Sequence, residues 1–316
     1  MTTPVFLTID TELMWRHHAE GLDRAEIYAR SLEPAGVGIS YQLDMLRRHD
    51  LKACFFVDPM PALIFGLEGT RRVVEAILDA GQEVQLHLHP NWAGAKADDH
   101  GDSHSRFELV DYSLQEQHDL IAGATDLLVA AGAPRPIAFR AGSFGANDDT
   151  LRVLAGLGFA YDSSHNGAEP DSAIGLAATH IAPVQREGLI EVPVTLIEDR
   201  PGALRNFQIC ALSAGEMHAA LEHAVCENHA AVTIVSHGFE LANRAGTRPN
   251  AVHVRRFEAL CELLQECAST LATVHFADRP ALRLGQPDSP LAPNALRTRW
   301  RQAEQLWSNM VEERAA

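Results

Sequence analysis

Glycine-rich phosphate loops are missing from this sequence. No G-x-G-x-x-G follows the first apolar run, and no G-x-x-x-x-G-K occurs. The backbone cradle of nucleotide-binding sheets is therefore not expected. A G-x-S-x-G elbow and an H-E-x-x-H helix are also lacking, which removes the common serine hydrolase and zinc protease signatures. Cysteine is scarce: Cys54, Cys210, Cys226, Cys261 and Cys267 are odd in number and form no C-x-x-C pair. They read as core thiols of a reducing compartment, not as a disulfide framework or zinc knuckle. Basic residues are few, 26 Lys and Arg against 42 Asp and Glu, for a net charge of -16. Such a surface repels a phosphate backbone and an anionic bilayer alike, so nucleic acid is excluded as a partner. No apolar run reaches the length of about 18 residues that a membrane helix needs; even the stretch from Ile121 to Ala133 carries Asp126. Membrane insertion is not expected. The opening MTTPVFLTID has no basic and apolar leader pattern, and a cytoplasmic location is expected.

What remains is the profile of a globular protein, with 316 residues, 46% of them hydrophobic and 22% charged. That is long enough to bury a sizeable core. Short β-rich runs alternate with helical stretches. Strands are expected at Val5–Ile9, Leu51–Val57, Glu83–Leu88, Pro136–Arg140, Phe159–Asp162, Ile190–Leu196, Ala231–Ser236 and Leu271–Phe276. Helices are expected at Gly38–His49, Thr70–Ala80, Ser113–Ala131, Asp148–Leu157, Ser213–Asn228 and Val254–Cys267. Ser113 with Glu116, and Ser213 with Glu216, fit capping boxes. The alternation predicts a mostly parallel sheet, and without phosphate loops a barrel is favoured over an open sheet. A polar, aperiodic stretch from Asn91 to Asp111 is long for a connection and marks a functional loop. Residues 1–280 read as one barrel domain. Residues 281–316 read as a proline-rich linker followed by an isolated helix.

Polar clusters stand at the strand ends, where a barrel of this topology carries its site. Asp10 and Glu12 follow the first strand two residues apart; together they can supply a base and a metal ligand, or merely an acidic turn. His87 and His89 alternate in phase on one strand face, which suits one divalent ion better than two unrelated core histidines. Trp92, just beyond, reads either as a sugar-stacking platform or as a core anchor. Arg140 ends an apolar strand and requires a carboxylate or a substrate anion. His237 ends another and can act as general acid or base. Asp162 sits similarly after the fifth strand. His218, His223 and His229 read as solvated helix residues.

In this order the clusters resemble the motifs of the polysaccharide deacetylases, the NodB-homology or family 4 carbohydrate esterase class. Thr8-Ile9-Asp10-Thr11-Glu12 resembles that family's first motif, usually T-F-D-D. His87-Leu88-His89-Pro90-Asn91 resembles the second, usually H-S/T-x-x-H. Arg140 in FRAGSFG, Asp162 and His237 resemble the third, fourth and fifth. Two departures stand out. Thr11 replaces an aspartate ligand, and Asn91 stands where the second histidine falls. The resemblance implies a distorted (β/α)7-type barrel and a divalent ion, usually Zn2+. It implies Glu12, His87 and His89 as ligands, with Asp10 as base unless Asp10 itself binds the metal. Arg140 would orient the base, His237 would protonate the leaving group, and Trp92, Asn91 and Asp162 would meet the substrate. The activity implied is hydrolysis of an acyl group, above all N-acetyl, on a small carbohydrate or glycan. The alternative is a metal-independent amidohydrolase of the same fold acting on a small non-sugar amide, for which the altered motifs leave room. Self-association into a homo-oligomer stays open.

Overall fold

The computed structural model describes residues 2–96 and 106–313. It contains eleven strands: β1 (Thr3–Thr11), β2 (Cys54–Val57), β3 (Glu83–Leu88), β4 (Ala138–Ala141), β5 (Tyr161–Asp162), β6 (Val184–Arg186), β7 (Leu189–Glu191), β8 (Leu196–Arg200), β9 (Ala203–Asn206), β10 (Val232–His237) and β11 (Leu271–Thr273). The helices are α1 (Trp15–Ala19), α2 (Arg24–Leu32), α3 (Ile39–Arg48), α4 (Ala62–Phe65), α5 (Glu68–Asp79), α6 (Leu114–Ala130), α7 (Asp148–Gly156), α8 (Ala214–Cys226), α9 (Ala251–Glu266) and α10 (Ala295–Trp307).

The main sheet runs β10-β1-β2-β3-β4-β5-β7-β6, with β11 also paired to β1. Every pairing in it is parallel except β6 with β7. Between β7 and β10 the sheet is closed by irregular backbone. Thr195 N donates to Thr233 O at 3.1 Å, and Val235 N donates to Phe207 O at 2.9 Å.

The period of two sorts the strand residues. Val5, Leu7 and Ile9 join the large core with Phe55, Val57, Leu86 and Phe139. Phe6, Phe56, Ala138 and Tyr161 form a second cluster with Phe276. On β1 the same alternation places Thr8 and Asp10 on the Phe6 side, above that aromatic floor. Register then assembles the site: Asp10 is opposite His237 on β10, and His87 is opposite Arg140 on β4.

Two expectations need correction. The run Ile190–Leu196 is not one strand; β7 ends at Glu191 and β8 begins at Leu196. Pro193 lies between them and offers no N–H to a ladder. The C-terminal helix is not isolated either. Arg301 is buried and donates to Glu216 Oε1 at 3.1 Å while pairing with Asp199. Arg256 Nη2 donates to Glu304 at 3.0 Å. The functional loop expected at Asn91–Asp111 falls partly on residues 97–105, outside the described residues.

Candidate metal centre and active site

Glu12, His87 and His89 converge at the mouth of the barrel. One ligand atom from each lies within 4.8 Å of the others. Glu12 Oε2 is 3.3 Å from His87 Nε2 and also contacts His89 Nε2. His87 Nδ1 lies 2.8 Å from Arg140 O. A carbonyl only accepts, so Nδ1 carries the hydrogen and Nε2 presents its lone pair to the centre. Beside them stands Asp58, just past β2 and 4% exposed. Its Oδ1 accepts from Met60 N at 2.9 Å, whereas its buried Oδ2 has no partner among the described residues. Burial pushes the Asp58 carboxyl up to about 6 against the pull of His89 and His87. Burial works against the His89 cation, but Glu12 outweighs it and raises His89 to about 9. Burial likewise opposes ionisation of Glu12, and the two histidines overcome it, holding that carboxyl well below the usual range. Three donors of mixed nitrogen and oxygen character, with an orphaned buried carboxylate oxygen beside them, fit a divalent transition metal.

A close approach makes this possible. A Cβ on Gly142 would lie 2.4 Å from His89 Nδ1. Only glycine leaves room for the imidazole there.

Opposite the trio, Arg140 is wholly buried and uses four of its five N–H donors. It donates to Thr8 Oγ1 and Asp10 Oδ1, both at 2.8 Å, and to Ser163 O and Oγ, both at 3.0 Å. Its guanidinium stacks 4.5 Å from the Phe56 ring centroid. Asp10 is thereby fixed, with Oδ2 3.9 Å from His237 Nε2. Glu240 holds the other side of His237. It lies 3.7 Å from Nδ1 and accepts from His237 N at 3.0 Å. Burial lowers the His237 pKa, yet Glu240 and Asp10 carry it up to about 9. Glu240 falls to about 2, because bonds to His237 and Cys210 outweigh its burial. An imidazolium held between two carboxylates is a ready proton donor.

Six of the nine expected site residues thus meet around one mouth: Asp10, Glu12, His87, His89, Arg140 and His237. The others stand differently. Trp92 is 1% exposed and packs on Trp15, His18 and Phe65, with ring centroids 4.9, 5.4 and 6.2 Å away. Its place is that of an anchor rather than an open stacking platform. Asp162 is also buried, accepts from Ser164 N at 3.1 Å and Ser164 Oγ at 2.8 Å, and its carboxyl is raised by burial. It lies in the wall, out of a substrate's reach. Asn91 lines a hollow of about 180 Å³ beside Glu12 and His89, and its buried Oδ1 has no partner among the described residues. His229, expected in solvent, is 2% exposed. Sequence reasoning passed over Asp58, Gly142 and the role of Glu240. For Glu240 the spacing H-G-F-E was a usable signal, since three residues return a turn onto its start.

No family profile matches the chain. Over 142 residues it is 28% identical to a peptidoglycan deacetylase-like protein of Gibberella zeae, a match taking in 44% of this chain. The chain spans only 36% of that relative's length. Among solved structures it is similar to a protein from Mycobacterium smegmatis provisionally described as a polysaccharide deacetylase, with a TM-score of 0.54, 18% identity, and coverage of 91% of this chain and 95% of that one. A 4-alpha-glucanotransferase from Thermococcus litoralis matches with the same TM-score at 8% identity, over 90% of this chain and 41% of that one. Among the described residues, no helix is long and apolar enough to cross a membrane. The fold is the one this chain shares with the Mycobacterium smegmatis protein, a distorted (β/α)7-type barrel.

Proposed function

We propose that this chain is a metal-dependent hydrolase that removes an acyl group, most readily N-acetyl, from a carbohydrate. The convergence of Glu12, His87 and His89 across the mouth from the Asp10–Arg140 and His237–Glu240 pairs carries the reading. Glu12, His87 and His89 would hold the ion, which, when bound, supplies Lewis acidity towards an acyl carbonyl. Zinc suits two imidazoles and a carboxylate.

The chain's own residues divide the proton work. Arg140 binds Asp10 Oδ1 and leaves Oδ2 as the acceptor for a proton from an attacking water. Arg140 is wholly buried and spends four of its five N–H donors on Thr8, Asp10 and Ser163, so it orients Asp10 rather than binding substrate. His237 Nε2, on the Asp10 side, carries the proton that a departing amine needs. Glu240 at Nδ1 fixes the ring and favours its charged form. The aromatic side chain placed to meet a sugar is Phe239, half-buried at the mouth and 5.0 Å from the His237 ring.

Elemental analysis of the purified protein tests this reading together with acetate release from N-acetylglucosamine oligomers. About one divalent ion per chain is expected, lost in His87→Ala/His89→Ala along with turnover. His237→Ala should keep the ion and lose about 10²–10⁴ in kcat. No ion after soaking in zinc, with hydrolysis undiminished in the double variant, would instead favour a metal-independent amidohydrolase.

A further inference from the structure

The barrel is not the sole source of residues near this mouth. One side of the C-terminal segment is tied down: Asn250 Nδ2 donates to Ser308 Oγ and Glu313 Oε1, each at 2.9 Å, and Arg244 N donates to Glu313 Oε2 at 2.8 Å. Another side is not. Gln305 and Asn309 line a hollow of about 370 Å³ whose far wall includes Phe239, Glu240, Asn243 and Arg244. That volume is within the roughly 300–1,000 Å³ of small-ligand sites. Glu240 is the residue that grips His237, so the hollow abuts the proton donor. A second hollow, lined by Glu12, His89 and Asn91, shares Met14, Arg16 and Phe239 with the first. The two are neighbours, divided by those three side chains.

The chemistry of the larger hollow is specific. Gln305 Nε2 donates to Asn309 Oδ1 at 3.1 Å, which leaves Gln305 Oε1 and the Asn309 amide hydrogens for a ligand. Arg244 adds a guanidinium, while the buried Asn243 amide is taken up by Thr247 and Arg248. Glu240 and Glu313 are engaged in bonds already described, so little free negative charge faces inward. Amide donors and acceptors beside a half-buried aromatic ring match a neutral, hydroxyl-rich ligand better than a cation or an apolar chain.

We propose that this hollow is a second sugar subsite, built by the C-terminal helix, that holds the unit next to the acylated one in an oligosaccharide. The proposal rests on the carbohydrate reading above. It makes residues beyond the barrel determinants of substrate length, acting through binding and not through chemistry.

The test compares wild type with Gln305→Ala/Asn309→Ala, using the N-acetylglucosamine tetramer and 4-nitrophenyl acetate, with calorimetric binding of the tetramer measured in parallel. Among the described residues neither side chain bonds to the barrel, so the variant should fold with unchanged Tm. About a tenfold loss of kcat/KM and of affinity is expected for the tetramer, with 4-nitrophenyl acetate hydrolysed as before. Unchanged tetramer kinetics and affinity would overturn the subsite. So would equal losses on both substrates with a lower Tm, which would assign the helix a structural role. If metal-loaded wild type hydrolyses neither probe, the enzymatic reading fails. In that case weaker tetramer binding by the variant would still uphold the subsite, and absence of tetramer binding by wild type would overturn it too.

Discussion

At the scale of single residues, the site depends on groups that bear no chemistry. Gly142 is the clearest case. A methyl group there would overlap the His89 ring, since three ring atoms lie within 2.6 Å of the added carbon. Gly142→Ala should therefore turn His89 away from Glu12 and weaken divalent-ion affinity about 10–100-fold, the usual cost of disturbing a ligand's support. Calorimetric titration with zinc measures this, and unchanged affinity would show that His89 is not a ligand. The Asp162–Glu191 pair makes a different point. Both carboxyls are fully buried, and burial followed by Asp162 drives Glu191 well above its ordinary value of 4.5. Two such groups keep one proton between them. A carboxyl whose folded pKa is raised stabilises the fold fully below its unfolded value, and that stability drains as pH climbs towards the folded value. Wild-type stability should fall above about pH 4.5, by at most about 1.4 kcal/mol per pH unit. Glu191→Gln keeps an acceptor for His165 N and a donor for Asp162, and should flatten this decline in urea melts from pH 5 to pH 8. An identical slope in the variant would place the proton elsewhere.

Elements come next, because register turns scattered letters into a site. β1 and β10 run in parallel with Asp10 opposite His237, and β3 and β4 run in parallel with His87 opposite Arg140. Parallel neighbours at one register point the same way, so four residues far apart in sequence face one mouth. Arg140 welds these strands. Arg140→Met should cost about 3–5 kcal/mol in denaturant unfolding, since it leaves Asp10 charged and unpaired in the interior. Arg140→Met with Asp10→Asn should cost clearly less than the two losses added. Strict additivity would show that the pair does not act as one unit. Most of this was legible in the sequence. His87 and His89 stand in phase at the end of a strand placed at Glu83–Leu88, where the structure has β3. Asp58 was not legible, because an aspartate before Pro59 after a short apolar run reads as an ordinary turn. Its value comes from the β1–β2 register, which only the fold supplies. Trp92 stays ambiguous in the sequence for the converse reason: aromatic identity does not say which neighbours will cover it. The β8–β9 hairpin did leave a trace in Pro201-Gly202, where Gly202 takes φ of 77°.

For the whole molecule, the net charge of -16 frames the last prediction. Asp10, Glu12, Asp58, Glu108 and Glu240 crowd one end of a barrel that offers them Arg140 and three histidines. Glu108 is raised by burial, with His89 pulling the other way. A divalent ion relieves this excess of carboxylates and adds stability by mass action, about 2.7 kcal/mol at a hundredfold excess over its Kd. For a domain of this size, that corresponds to a rise of about 4 °C in Tm. Ion and proton compete for His89 Nε2, which holds its proton up to about pH 9 without metal. The gain should therefore shrink as pH falls from 8 to 6. Thermal melts with zinc and with a chelator, repeated on Glu12→Gln, separate the possibilities. A rise in wild type that vanishes in the variant places the ion at Glu12, His87 and His89. The same rise in both would assign it to the acidic surface, and no rise in either would remove the metal from the mechanism and leave Asp10, Arg140 and His237 to act alone.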